Sequence, residues 1–172
     1  MWRFLYWVVF AAGAATYAAM LLWTLPEIQD AAGGLVPFDM RPFGYSHAEA
    51  LEFLAALNPQ GLALYLGPQK WLDLAFPALL GIFLAWSFVR LGPGIAPRAF
   101  LVVAALSVTA FDYLENIRVR AMLLAGADAT TEAMSWAASL ATLVKSGLVT
   151  FCLIALLALV LWRVWRWLRR AT

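Results

Sequence analysis

The residues best suited to chemistry lie in one stretch, residues 111–120, inside a long apolar sequence. This stretch contains the carboxyl groups of Asp112 and Glu115 and the amide of Asn116. A carboxyl group held in a low-dielectric site can accept or donate a proton during the reaction of a bound molecule. Asp112 and Glu115 are therefore our candidates for catalytic acid and base residues.

The composition of the chain shows why these charges are unusual. Of its 172 residues, 65% are hydrophobic and 13% are charged, whereas soluble domains are about half apolar and a quarter charged. We therefore expect one membrane domain that covers residues 1–172, with membrane lipids as its immediate partners. The net charge of +2, without a basic stripe interleaved with aromatic residues outside the C-terminal tail, argues against nucleic acid as a partner.

Several chemistries are disfavoured by residue types that occur only once. Cys152 is the one cysteine, so a CxxC redox pair cannot form. His47 is the one histidine and lies in a polar segment, so neither a haem held by two histidines nor a catalytic triad is supported. Asp112 and Glu115 lack the His and Cys partners of a transition-metal site, and we expect neither a metal nor another cofactor.

Four apolar stretches, at about 4–25, 71–89, 99–120 and 133–162, are each long enough to cross a bilayer. The predicted fold class is therefore an all-α integral membrane protein, built as a four-transmembrane-helix bundle. In the fourth stretch, small residues recur every four positions and lead to Lys145. Because a stripe of small residues lets helices approach closely, we expect Lys145 to point into the bundle.

The long segment of residues 26–68 is expected to lie outside the membrane as a cap over the bundle. It is acidic, and its glycine and proline residues favour irregular backbone. Ser46 followed by Glu49 is the pattern of a capping box, which predicts that a short amphipathic helix begins there and runs to residue 57. The residues predicted on its apolar face are Leu51, Leu54 and Ala55.

The distribution of Lys and Arg predicts the orientation of the chain. Basic residues concentrate at the N-terminus, in the connection 90–98 and in the tail 163–172, which share one side if there are four spans. Because basic loops mark the cytoplasmic side, both termini are expected in the cytoplasm, and the acidic segment 26–68 outside. We expect a multi-pass protein of a bacterial inner membrane.

Polar residues of three predicted helices fall at a similar depth. At a rise of about 1.5 Å per residue, Asp73, Asp112, Glu115 and Lys145 all lie in the outer half of the bilayer. We therefore predict a polar pocket there, roofed by the segment 26–68. The residues predicted to bind a ligand in it are Asp73, Asn116, Lys145, Asp39, Arg41 and Tyr45.

The same charges also fit a purely structural role. Lys145 can neutralise Asp112 or Glu115, and Arg118 can pair with Glu115 three residues earlier on the same helix. Such pairs fix the register of helices without taking part in a reaction. This alternative stays open at the level of the sequence.

The layout is similar to that of the EXPERA-domain proteins, the group of the sterol isomerase and the sigma-2 receptor. The residues that carry the resemblance are Asp73 ahead of Phe76 and Pro77, and the pair of Asp112 and Glu115. The resemblance implies four or five spans, a long first luminal segment, and intramembrane carboxylates that line a lipid-binding pocket. It is a resemblance of architecture, and one architecture serves many functions.

Two functions are consistent with these patterns. The first is a small membrane protein that binds a lipid-like or sterol-like molecule in the carboxylate-containing pocket, with acid/base chemistry by Asp112 and Glu115 as an extension. The second is a non-catalytic accessory subunit of a larger membrane complex, or a homo-oligomer. A cavity that contacts Asp112 is expected for the first function, and a fully packed, ion-paired interior would exclude it. Co-purification with stoichiometric partners is expected for the second function.

Overall fold

The computed structural model describes residues 2–171, whose regular elements are all helices, without a β-strand in that range. Met1 and Thr172, the ends of the predicted domain, lie outside the described residues. The helices are α1 (Trp2–Ala31), α2 (His47–Ala56), α3 (Pro59–Leu91), α4 (Ile95–Ala129) and α5 (Glu132–Ala171), with a 3-10 turn at Phe38–Met40 between α1 and α2.

Four of these helices, α1, α3, α4 and α5, are long and apolar enough to cross a membrane. Each is at least 30 residues long, whereas about 20 residues suffice for the hydrocarbon core of a bilayer. The helices therefore extend beyond the apolar stretches that the sequence marks out, into segments that carry polar residues.

Two helices continue through prolines at which we expected them to end or begin. α1 passes Pro26 after a π-helical turn at Met20–Thr24, and α3 contains Pro68 within a π-helical turn at Tyr65–Gln69. A π-helical turn shifts the hydrogen-bond pattern by one residue, so the missing N–H of proline does not have to break the helix. As a result, α3 begins at Pro59, about three turns before the expected start of the second span.

The capping box that begins α2 is present as predicted. The side chain of Ser46 accepts a hydrogen bond from the backbone N–H of Glu49 at 3.2 Å, and the Glu49 carboxylate accepts one from the backbone N–H of Ser46 at 2.7 Å. The hydrogen bonds from Ser46 hold the pKa of the Glu49 carboxyl below its usual value. The sequence therefore fixes where this helix begins.

The buried face of α2 differs from the predicted one. Ala50, Phe53 and Leu54 are buried, while Leu51 is half-buried and Ala55 is exposed. The reason is that the ring of Phe53 packs against the 3-10 turn and against α3, with its centroid 4.8 Å from that of Phe38 and 6.3 Å from that of Tyr65. The packing of Phe53 thus determines which face of α2 is buried.

Two apolar clusters fill the interior, one at each end of the long helices. The first contains the rings of Phe38 and Phe53 and reaches α4 at Val119 and Met122. The second joins Leu84 and Phe88 of α3 to α4 at residues 101–108. Along α4, residues 109–118 lie between the two clusters, and these are the residues that carry the charges.

A polar stripe of α4 attaches this middle region to α3. Pro77 has no N–H to donate to the carbonyl of Asp73, one turn earlier, and the side-chain amide of Asn116 donates to that carbonyl instead, at 3.0 Å. The hydroxyls of Thr109 and Tyr113 donate to the backbone carbonyls of Pro77 and Leu74, each at 2.8 Å. Side chains of α4 therefore donate hydrogen bonds to the backbone carbonyl groups around Pro77 of α3.

Gly81 allows this close contact of α3 and α4. A Cβ atom added at Gly81 would overlap Oγ1 of Thr109 and would lie 3.4 Å from the backbone oxygen of Ala105. Thr109 cannot move away without losing its hydrogen bond to Pro77. A side chain at position 81 would therefore disturb both the packing and the polar stripe.

We predict that Gly81→Ala lowers the stability of the protein by about 1–3 kcal/mol, the usual effect of forcing extra volume into a tight contact. The measurement is the apparent melting temperature in mild detergent. The matched control is Gly147→Ala, because a Cβ atom added there meets no atom within 4 Å. Equal melting temperatures for the two variants would contradict the close contact.

Candidate functional site

The centre of the candidate site is an ion pair between α4 and α5. The ammonium group of Lys145 contacts the carboxylate of Glu115 and lies 3.8 Å from Oδ2 of Asp112. Glu115 is fully buried, and its other oxygen accepts a hydrogen bond from the hydroxyl of Thr142 at 2.5 Å. Lys145 thus points into the bundle and pairs with both acidic residues.

Arg118 does not take the place of Lys145 as the partner of Glu115. Arg118 is exposed on the outer surface of α4, and among the described residues the carboxylate of Glu115 contacts the side chains of Lys145 and Thr142 on the facing helix. Glu115 therefore pairs with Lys145 of the neighbouring helix α5, and not with Arg118 of its own helix.

A second set of polar contacts extends from this ion pair towards α1. The amide of Asn116 lies 3.3 Å from Oδ1 of Asp112, in addition to its bond to the backbone of Asp73. The amide of Gln69 donates to Oδ1 of Asp73 at 2.8 Å and accepts a hydrogen bond from the hydroxyl of Thr24. Four helices are therefore joined by one chain of buried polar contacts.

Acidic groups outnumber basic groups in this buried cluster. Asp73, Asp112 and Glu115 supply three carboxyl groups, and Lys145 supplies one ammonium group. Since buried charges need partners, protons or a further cation must balance the excess. Within residues 2–171, no three His, Cys, Asp or Glu side chains are arranged to hold a metal ion.

A cavity of about 310 Å³ adjoins the cluster between α3 and α4. Asp73 and Asn116 line it, together with Asp39 from the 3-10 turn. The hydroxyl of Tyr65 donates to Oδ2 of Asp39 at 2.5 Å and so fixes the 3-10 turn against α3. The other lining residues are Leu66, Lys70, Leu74, Tyr113, Ile117, Val119, Arg120 and Leu123.

The structure divides the predicted site residues into three groups. Asp39, Asp73 and Asn116 line the cavity. The candidate acid and base Asp112 and Glu115 lie with Lys145 in the ion pair and are not among the residues of the cavity wall. The third group consists of Arg41 and Tyr45, which lie in the first apolar cluster and its surroundings.

Arg41 and Tyr45 have local structural partners. The guanidinium of Arg41 lies 5.8 Å from the ring centroids of Phe38, Tyr45 and Phe53, and its Nε donates to the carbonyl of Val36 at 2.8 Å. Burial raises the pKa of the Tyr45 hydroxyl, and the charges of nearby carboxyl groups raise it further. Both residues hold the irregular segment onto the helices, and neither is among the residues of the cavity wall.

Several polar residues of the site are not predicted from the sequence, among them Tyr65, Gln69 and Tyr113. Tyr65, Gln69, Asp73 and Pro77 recur every four residues, which is the signature of one helix face. The position of Pro68 conceals this face, because a proline there predicts the end of a surface segment, whereas the structure has it within α3. Tyr113 lies within the charged stretch of α4, where its neighbours Asp112 and Glu115 are the stronger signal of chemistry.

Comparisons with known protein families, with curated proteins and with solved structures find no match to this chain.

We predict that Lys145→Met destabilises the protein by about 3–5 kcal/mol, because it leaves the buried carboxylate of Glu115 without its partner. The double variant Lys145→Met/Glu115→Gln should recover most of this loss, since neither charge then remains. Apparent melting temperatures in detergent provide the measurement. Arg118→Gln, which removes an exposed charge from the same region, should stay close to the wild type. A Lys145→Met variant as stable as the wild type would show that the ion pair has no structural role.

Proposed function

We propose that α1, α3, α4 and α5 form a transmembrane bundle, with both termini in the cytoplasm and residues 26–68 outside. Large apolar side chains on the outer surface support this, because Phe100, Val103 and Leu106 of α4 are each more than half exposed. A soluble protein rarely leaves such a continuous apolar surface in water, whereas lipid solvates it. The basic residues of the tail and of the connection 90–98 support the orientation.

We infer that this bundle binds an amphipathic, lipid-like molecule in the cavity between α3 and α4. The single observation that carries this proposal is the composition of the cavity wall. Its surface is mostly apolar, with side chains such as Leu66, Leu123 and Ile117, and Asp73 and Asn116 are among its polar lining residues. Apolar pockets with a few convergent polar groups are the usual form of small-molecule sites.

The position of the opening supports a ligand that comes from the bilayer. Leu74 of α3 and Ile117 of α4 line the cavity and are 48% and 65% exposed. They lie on helix surfaces that face lipid in the proposed bundle. A molecule dissolved in the outer half of the membrane can therefore reach Asp73 by lateral movement, without crossing water.

Binding is better supported than catalysis. Asp112 and Glu115 are engaged by Lys145 and Thr142 and do not line the cavity. A general acid or base needs to come within hydrogen-bonding distance of the reacting group. Acid/base chemistry by these two residues stays a prediction, and Asp73 is the carboxyl group that a ligand can contact.

We predict that Ile117→Trp, which adds bulk at the opening, abolishes the retention of a bound amphiphile. The protein is extracted from its native membrane in mild detergent, and native mass spectrometry records the mass of whatever stays attached. The matched control is Leu124→Trp, since Leu124 is on the same helix and as exposed as Ile117 but does not line the cavity.

The bound masses distinguish an amphiphile pocket from an accessory subunit. A hydrophobic molecule of defined mass on the wild type and on Leu124→Trp, but not on Ile117→Trp, supports the pocket. Wild-type protein without such a molecule, or with one that also survives in Ile117→Trp, overturns it. Stoichiometric co-purification of another membrane protein in place of a small molecule would instead favour an accessory subunit.

A further inference from the structure

The cavity between α3 and α4 carries charges of both signs. Asp39 and Asp73 contribute carboxyl groups, and Lys70 and Arg120 contribute cations. Both cations are exposed, whereas Asp73 is 9% exposed. The ammonium of Lys70 lies 4.9 Å from the ring centroid of Trp71, and among the described residues neither cation forms an ion pair within 4.0 Å.

On each of the two helices, the cation lies about one turn from the polar residue of the cavity wall. Lys70 precedes Asp73 by three residues on α3, and Arg120 follows Asn116 by four residues on α4. The two helices run in opposite directions across the proposed bundle, so both cations lie nearer the outer surface than the polar groups of the inner wall. The offset is about one helical turn, roughly 5 Å.

One oxygen of the Asp73 carboxyl group can accept a further hydrogen bond. Its Oδ1 accepts a hydrogen bond from Gln69, whereas Oδ2 accepts none from the described residues. Oδ2 is not a fully buried atom, and the side chain lines the cavity, so a bound molecule can reach this oxygen. A ligand that brings a charged donor to Oδ2 would complete the set of contacts and would also balance the excess of acidic groups.

We propose that the cavity recognises a phospholipid head group that joins a primary ammonium to a phosphate diester, the chemistry of phosphatidylethanolamine. This inference rests on the proposed function and names the ligand class of the same site. The ammonium donates a hydrogen bond to Asp73 and is attracted by the negative charge of the Asp39 carboxylate. The phosphate accepts from Lys70 and Arg120, one helical turn closer to the membrane surface.

Other common head groups match this arrangement less well. A quaternary ammonium has no N–H, so it cannot donate to Oδ2 of Asp73. A head group with a phosphate alone leaves the carboxyl groups of Asp39 and Asp73 without a cation. Charge-assisted hydrogen bonds are roughly twice as strong as neutral ones, and the site therefore discriminates by the number of them that a head group can form.

The size of the cavity fits a head group with the first part of its acyl chains. A volume of about 310 Å³ is at the lower end of ligand pockets and is too small for a complete two-chain lipid. The rest of each chain can lie along Leu74 and Ile117, which are exposed on the same side. The lipid would thus be held by its head while its chains stay in the bilayer.

The test titrates purified full-length protein with dioleoyl phosphatidylethanolamine, phosphatidylcholine or phosphatidylglycerol and follows binding by native mass spectrometry. We expect the wild type to bind the ethanolamine lipid about tenfold more tightly than either of the others, the effect of one charge-assisted hydrogen bond. Glycerophosphoethanolamine, which has the head group without chains, should compete at least a hundredfold more weakly. Equal competition would show that the site takes a soluble phosphate compound and would overturn the lipid assignment.

Two variants test the contacts of the ammonium and of the phosphate separately. Asp73→Asn should lose the preference for the ethanolamine lipid over phosphatidylglycerol, a ratio that is measured within one protein sample and so does not depend on the amount folded. Arg120→Gln should weaken both of these lipids by a similar factor. The matched control is Arg118→Gln, an exposed arginine of the same helix that does not line the cavity, and it should bind as the wild type does.

Failure of this inference and failure of the proposed function give different results. Binding of all three lipids with equal affinity, blocked by Ile117→Trp, would overturn the head-group assignment and keep the amphiphile pocket. Lipid binding that is absent, or is unchanged by Ile117→Trp, would overturn both. A preference for the ethanolamine lipid that persists in Asp73→Asn would show that Asp73 is not the group that reads the ammonium.

Discussion

The structure depends on one ammonium group that pairs with two carboxyl groups inside an apolar bundle. Lys145 holds Glu115 and Asp112 across the contact of α4 and α5. Removing charges from water costs several kcal/mol for each ion, and a buried pair repays this only when its geometry and hydrogen bonds are good. Thr142 and Asn116 supply those additional bonds. The pair therefore selects one register of the two helices rather than simply adding stability.

The polar residues of α4 combine a structural role with the construction of a cavity. Asn116 satisfies the carbonyl that Pro77 leaves free, and it also contacts the side chain of Asp112. Asn116 also lines the cavity. A change at Asn116 would thus affect the backbone of α3, the ion pair and the cavity together. For this reason a loss of binding after mutation of Asn116 alone would not identify its role, and the more informative positions are Asp73, Arg120 and Ile117.

The sequence predicted the helical class, four apolar helices, the capping box at Ser46 and the pairing of Lys145, because each depends on local pattern or on the high cost of a buried charge. It failed where the outcome depended on tertiary contacts. Pro68 lies within α3 because a π-helical turn absorbs it, and the rotation of α2 follows from the packing of Phe53. Arg41 and Tyr45 stay predicted ligand residues because they share a segment with Asp39, and their side chains pack against the aromatic cluster.

The separation of the ion pair from the cavity has a consequence for what the site can do. A carboxyl group that is already engaged by an ammonium is a poor partner for a second cation, since the first interaction must be broken. Asp73 has no contact of that kind with Lys145, and one of its oxygens stays available at the cavity wall. The acidic groups thus fall into two sets: Glu115 and Asp112 join α4 to α5 through Lys145, and Asp73 lines the cavity. Under the proposed function, a wall with one available acceptor favours a ligand that can donate to it.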